Sequence, residues 1–423
     1  METYATVLSY AIPGFVGLII IEAIVARFMG LKINRDLDII SSLSSGMTNT
    51  LKSILGLSVI IISYSWMEAR VALFEIEPPF SWWVYVIAFI GIDFASYWSH
   101  RFNHVINLFW NRHLVHHSSE EFNLSCALRQ TISDVFGVYF FLYLPMALIG
   151  VPPVVVAILA PLHLFAQFWY HTRVIKRMGF LEHILVTPSH HRVHHAINAE
   201  YIDKNYAAIF ILWDKWFGTF QEELEEVPPV YGTKRPAGSW NPFLINFMHV
   251  WMLAKDAWRT HSWWDKLRLW FMPTGWRPAD VKDKYPVYSI DDVSKQVKYD
   301  TPVSPFLRAW AWIQLVVNNL LMYFLLANIG DYVFSDVLLY CAFLAMSIFA
   351  YTSLMDRHIL AIPMECAKFL LGGFLVYHMD GWYGIDSFIP SGTMLVAMYC
   401  LLSVGCTFYF TFSERIPQKS LAG

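Results

Sequence analysis

The apolar positions of the chain fall in long runs rather than in alternation. Such runs cover roughly 5–26, 48–67, 82–99, 132–149, 151–171, 305–328, 333–350, 359–377 and 392–412. Each approaches the ~20 residues a helix needs to cross the hydrocarbon core of a bilayer. The pair at 132–171 is interrupted only by "GVPP" at 150–153, a tight turn that predicts a helical hairpin or a re-entrant pair that never fully crosses. The run at 48–67 is the most polar, with Lys52 and several Ser and Thr. One large polar block, 173–304, separates the first five runs from the last four. Within it, "LINFMHVWMLAKDAW" (244–258) is amphipathic and predicts a piece lying on the membrane surface. The stretch 285–305 reads as a linker. The fold class predicted is all-α: a polytopic integral membrane protein with a histidine-rich, metal-binding cap. Its predicted parts are N-terminal membrane helices over 1–79, a catalytic domain with the cap over 80–300, and C-terminal membrane helices over 301–423.

Composition supports the membrane assignment. Of the 423 residues 56% are hydrophobic and only 15% charged, against about 25% charged in a soluble domain. The net charge of -3 gives no polybasic footprint for nucleic acid. With the N-terminus outside, one side of the membrane receives 26 of the 30 Lys and Arg, including both histidine-dense regions. The positive-inside rule makes that side the cytoplasm, in a bacterial inner membrane or the endoplasmic reticulum. Cys126, Cys341, Cys366, Cys400 and Cys406 form no C-x-x-C pair and are expected to be reduced and buried. The long first run, with no basic n-region or small-residue cleavage site, is expected to be a membrane helix rather than a cleaved signal.

The chemistry is carried by histidine. His100 and His104 are spaced i, i+4; His113, His116 and His117 are spaced i, i+3, i+4; His191, His194 and His195 repeat that spacing. On a helix each set shares one face. Neutral imidazole is the commonest ligand for iron, zinc, copper and nickel. Eight such ligands exceed one closed tetrahedral site and predict two metals with positions open for water or oxygen. His171, at the end of the fifth run, is a ninth candidate; His190 would turn away. No H-E-x-x-H pattern is present, which excludes the helical zinc-protease motif. The clusters also lack the Glu-x-x-His ligands of soluble di-iron bundles. Metal-bound histidines usually donate their second N–H to a carboxylate or carbonyl. Asp93, about two turns before His100, is a candidate for that supporting role. So are Asp134, Asn123, Asp203, Asn205 and Asp214. Arg129 and Gln130 could orient water or a head group. Trp98, Phe109, Trp110, Trp169, Tyr170, Trp213 and Trp216 could wall a lipid tunnel.

The order H-x3-H, H-x2-H-H, H-x2-H-H resembles the membrane di-iron proteins of the fatty acid hydroxylase/sterol desaturase superfamily. The stretches "NLFWNRHLVHHSSEEFNLSCALRQ" (107–130), "QFWYHT" (167–172), "TPSHHRVHHAIN" (187–198) and "YIDKNYAAIFILWDKWFGTF" (201–220) look like its alkylglycerol monooxygenase branch. The resemblance implies two iron ions, isolated as zinc if misloaded, held by the eight clustered histidines, which would make these the catalytic residues. It also implies activation of O2, oxidation of a membrane lipid next to an ether oxygen, and tetrahydrobiopterin as reductant. The branch carries a Glu after the second histidine, tied to its pterin dependence; here Val105 follows His104, a departure that counts against the pterin. No G-x-G-x-x-G nucleotide-binding fingerprint is present, so electrons are expected from a separate donor. A fatty-acyl, sterol or carotenoid hydroxylase or desaturase would use the same histidines. A non-catalytic metal-binding membrane protein would hold metal without consuming O2. Oligomeric state has no signature in the sequence.

Overall fold

The computed structural model describes residues 2–59, 61–134 and 137–414, and is helical, with no strands among them. In chain order the helices are α1 (Glu2–Phe28), α2 (Asp36–Ile54), α3 (Tyr64–Val71), α4 (Trp82–Val105), α5 (Asn107–His117), α6 (Leu144–Ile149), α7 (Pro153–Phe165) and α8 (Pro188–His194). There follow α9 (Leu212–Phe217), α10 (Pro242–Arg259), α11 (Trp263–Arg268), α12 (Ala279–Lys282), α13 (Pro305–Ala327), α14 (Phe334–Met355), α15 (Ala361–His378) and α16 (Gly392–Ser413).

Among the described residues, four helices, over Thr6–Phe28, Pro305–Ala327, Phe334–Met355 and Gly392–Ser413, are long and apolar enough to cross a membrane. The chain is thus an all-α, polytopic membrane protein. α4 and α15 match two more predicted runs and are long, but Asp93 with its Trp, Tyr and Ser neighbours dilutes one, and Glu365 with Lys368 dilutes the other. Three predicted spans are corrected. No single helix covers 48–67: α2 stops at Ile54, and Lys52 Nζ forms an ion pair with Asp134 Oδ1 at 2.6 Å. The runs at 132–149 and 151–171 give only short apolar helices, Phe140–Ile149 and Pro153–Phe165. Thirteen helical residues reach about 20 Å, short of the ~30 Å hydrocarbon core, so neither helix is long enough to cross by itself. Gly150 turns it, with φ of +79°, and a Cβ there would lie 2.0 Å from the Phe74 carbonyl oxygen.

Two packed regions frame the site. The larger joins α2 to α13–α16 through Leu315, Met322, Leu344, Ile348 and Trp382. The smaller packs α4 against α6 and α7 through Val84, Ala88, Ile92, Met146 and Val155. α1 buries only 6% of its apolar window, yet it packs against α13 and, through Leu8 and Ile12, against the larger region. It also meets the metal-binding half at Phe15, whose ring lies 5.4 Å from Phe165 and 4.4 Å from Phe168, and at buried Glu22. The Glu22 carboxyl group accepts from Leu124 N at 2.7 Å and from the Thr172 hydroxyl.

Candidate metal centre

The ligand helices are shaped by one interruption. α4 runs through His100 and His104 to Val105, the chain extends at Ile106 (φ -116°, ψ 124°), and α5 restarts at once with His113, His116 and His117. The break is filled by the 269–276 loop. The Asn107 side chain, fully buried, donates to the Leu269 and Trp276 carbonyls at 3.0 and 2.9 Å and accepts from Gly275 N at 3.0 Å. The third cluster sits on α8, a short helix opened by Pro188, where proline's missing N–H costs nothing. His171 follows α7 in a tight turn.

These elements bring nine histidines into two adjoining groups. Ring nitrogens of His100, His104, His113, His117 and His194 form one, and those of His116, His171, His191 and His195 the other; within each, the nitrogens lie within 4.8 Å of one another. His191, not His190, enters the site. The His190 ring faces Phe220 at 5.6 Å instead.

The tautomers show what the groups are built to hold. The second nitrogens of several rings donate to backbone carbonyls: His100 Nδ1 to Tyr206 O (2.7 Å), His194 Nδ1 to Lys204 O (2.9 Å), His171 Nδ1 to Gln167 O (3.0 Å) and His116 Nδ1 to Arg129 O (3.3 Å). A neutral ring has one N–H, so each of these leaves a bare Nε2 lone pair. Yet His116 Nε2 and His171 Nε2 face each other at 3.2 Å. His191 Nε2 lies 2.8 Å from His171 Nε2, and His195 Nε2 lies 3.0 Å from His191 and 3.1 Å from His116. Nitrogens bound at about 2.0–2.1 Å to one ion would sit roughly 2.9–3.4 Å apart. Lone pairs converging at that spacing are what a cation between them would satisfy. In the five-histidine group, His104, His117 and His194 each present a buried Nε2 with no hydrogen-bond partner. Burial supports the same state: it lowers His100 and His116 to about 4 and holds the other seven well below the ordinary 6.5. The residues fit a metal-binding centre.

The supporting residues differ from expectation, because carbonyls do most of the orienting. Asp214 acts one step back: its carboxylate accepts from Tyr206 N and Ala207 N, both at 2.8 Å, and so fixes the peptide whose carbonyl orients His100. Asn205, at φ +55°, donates to the His190 and Gln221 carbonyls. Asp203 alone among the predicted carboxylates approaches a metal-facing histidine, 3.8 Å from His104 Nδ1, with its side chain 56% exposed. Three assignments are corrected in their contacts. Asp93 bonds to His163, not to His100. Asp134 pairs with Lys52 and Arg112. Asn123 caps the 124–128 turn through Ser125 N and Cys126 N and donates to Ile33 O. Arg129 is consumed in a buried ion pair with Asp38 at 2.9 Å, while Gln130 donates to Ala127 O. Glu120 and Glu121 bind the linker at Tyr299 N and Lys298.

Aromatic rings line the centre. Trp110 lies 5.1 Å from His104 and Tyr170 lies 4.4 Å from His191. Trp216 is exposed and contributes nothing to that wall. The sequence reading missed Phe122, within 5.2–6.0 Å of His171, His191 and His195. It also missed Tyr206, within 5.2–6.0 Å of His100, His104 and His194. Aromatic residues are so common in this chain that neither carries a distinguishing signal.

Comparison with known proteins agrees with this centre. The fatty acid hydroxylase family model matches residues 85–219, which hold all nine histidines. The alkylglycerol monooxygenase of Homo sapiens is 34% identical over 372 residues, 88% of this chain and 82% of the relative. That of Danio rerio is 33% identical over 439 residues, 99% of this chain and 92% of the relative. An ornithine lipid hydroxylase, OlsE of Rhizobium tropici, is 28% identical over 135 residues, 32% of this chain and 41% of the relative. No solved structure matches. On a likeness of this extent the chain belongs to the fatty acid hydroxylase family, alongside the alkylglycerol monooxygenases, as a membrane lipid monooxygenase.

Proposed function

We propose that the nine histidines hold two iron ions and that the chain oxidises an alkylglycerol-type ether lipid. The opposed imidazole lone pairs in two adjoining groups carry the two-metal reading; the names of the full-length relatives support the substrate. Bound iron would supply activation of O2 and insertion of one oxygen atom into the lipid C–H bond beside the ether oxygen, with two electrons and two protons completing one water. The hemiacetal so formed falls apart to an aldehyde and a free glycerol derivative. The chain's own residues do the rest. The Tyr206, Lys204, Arg129 and Gln167 carbonyls aim the rings. Phe122, Tyr170, Trp110 and Tyr206 give the oxidising centre an apolar wall. Electrons come from a separate donor, and Val105 offers no carboxylate with which to hold a pterin. The Lys and Arg distribution supports a cytoplasmic active site.

A second reading, stable hydroxylation of another membrane lipid, is favoured by the likeness to the ornithine lipid hydroxylase over a third of the chain. Two measurements decide. Metal content by mass spectrometry should give about two irons per chain, lost in the His194→Ala plus His195→Ala variant; ligand removal of this kind abolishes such sites. Membranes bearing the wild type should release aldehyde from an alkylglycerol. A stable hydroxylated acyl chain or sterol would overturn the ether-lipid assignment, and metal binding without O2 consumption would make the chain a metal-binding protein only.

A further inference from the structure

We propose that Asp93 and His163 form a positioning dyad that sets the two metal sites relative to each other. The proposal rests on the two-metal reading above. Neither residue hydrogen-bonds to a metal-facing histidine, and both are buried. Asp93 lies on α4, two turns before His100, and its carboxylate accepts four hydrogen bonds. Oδ1 receives His163 Nε2 at 2.7 Å and Ile209 N at 2.9 Å; Oδ2 receives Phe210 N at 3.0 Å and Trp213 Nε1 at 2.8 Å. Four donors saturate an ionised carboxylate.

From this hub two chains of contact leave in opposite directions. One passes through His163. With its proton directed at Asp93, His163 presents a bare Nδ1, and Gln167 Nε2 donates both to it and to the His163 main-chain carbonyl, each at 3.2 Å. The Gln167 carbonyl in turn accepts from His171 Nδ1 at 3.0 Å. This link matters because α7 ends at Phe165, so no regular helix fixes the position of His171. The residues 163, 167 and 171 are spaced by four and continue one line from the dyad to the four-histidine group. The other chain passes through the 206–213 segment. Asp93 holds its peptides at Ile209 and Phe210, Asp214 holds those at Tyr206 and Ala207, and the Tyr206 carbonyl aims His100 in the five-histidine group. One carboxylate on the helix that bears His100 and His104 is thereby tied to the supports of both groups.

The test uses full-length protein in detergent micelles, loaded with 57Fe and examined by Mössbauer spectroscopy, with turnover on one fixed lipid. Outer-shell partners of metal-bound histidines affect metal affinity or activity by about 10- to 100-fold. His163→Phe should perturb the signal of one iron, that of the His116, His171, His191 and His195 group, and lower kcat by roughly tenfold with KM little changed. His163→Gln, which can donate to Asp93 and accept from Gln167, should restore most of both. An unchanged spectrum and kcat in His163→Phe would overturn the proposal. Equal loss of both irons with a lowered melting temperature, unrelieved by glutamine, would reduce the dyad to scaffold and overturn it too. Fewer than two irons in the wild type would instead remove the two-metal reading itself.

Discussion

At the scale of single residues, the nine histidines resolve a conflict between burial and polarity. Imidazoles crowded at 2.8–3.2 Å cannot all be protonated, and burial depresses every one of them. The sign of the pH dependence follows. In metal-free protein the unfolded chain takes up protons on these rings near the ordinary 6.5, whereas the folded chain resists uptake until about 4 at His100 and His116. The unfolded state binds more protons across that window, so stability is intact above it and is lost as pH falls through it. The melting temperature of stripped protein should decline between pH 6.5 and 4. Reloading with metal should move the decline to lower pH, since protons then compete with the ion. A flat profile would show that the rings take up protons in the fold as readily as in the unfolded chain. Eight of these histidines were legible because i, i+3, i+4 spacing is a property of sequence, and His171 because it closes an apolar run. Their partners were not legible. A carbonyl such as Tyr206 O carries no residue-type signature, and proximity along α4 suggested that Asp93 serves His100 when its neighbour across the packing is His163.

At the scale of elements, the ligand helix α5 packs on α10 through Leu114, Val115 and Ile245, and one amide keys the two together. Asn111 Oδ1 accepts from Val250 N at 2.8 Å and its Nδ2 donates to Asn246 O at 2.9 Å. Those are the two groups that an i, i+4 helical bond would pair, so the side chain is keyed into the α10 ladder. Asn111→Ala should strand buried backbone groups at a cost of about 1–3 kcal/mol, read as a lower unfolding midpoint together with weaker metal retention by His113, His116 and His117. Asn111→Leu would be no better, since shape does not replace the two bonds. The same α10 was recognisable as amphipathic because its polar positions recur on one side. Helix lengths over 48–67 and 132–171 were misjudged for a related reason. Apolar runs report what avoids water, and Lys52 with Asp134 and the "GVPP" turn decide where the backbone stops being helical.

At the scale of the whole molecule, the metal-binding half and the C-terminal bundle follow different rules. The bundle buries Glu365 and Lys368, paired at 2.5 Å, with Lys368 also donating to Ser403 Oγ at 2.8 Å. Breaking such a pair leaves one charge unmatched, so Lys368→Met should cost about 3–5 kcal/mol, and pairing it with Glu365→Leu should recover most of that. Thermal melts in detergent would show the difference, and equal melting of the two variants would refute it. The metal-binding half depends on contacts distant in sequence, and α1 shows what that implies for its making. Glu22 finds its partners at Leu124 and Thr172, separated from it by 102 and 150 residues. A ribosome extends a chain by about 5–20 residues each second, so α1 waits in lipid for seconds with a polar group it cannot yet satisfy. The partner that ends the wait adjoins His171. Docking of this span and placement of the ninth metal-facing histidine are thereby tied through adjacent residues.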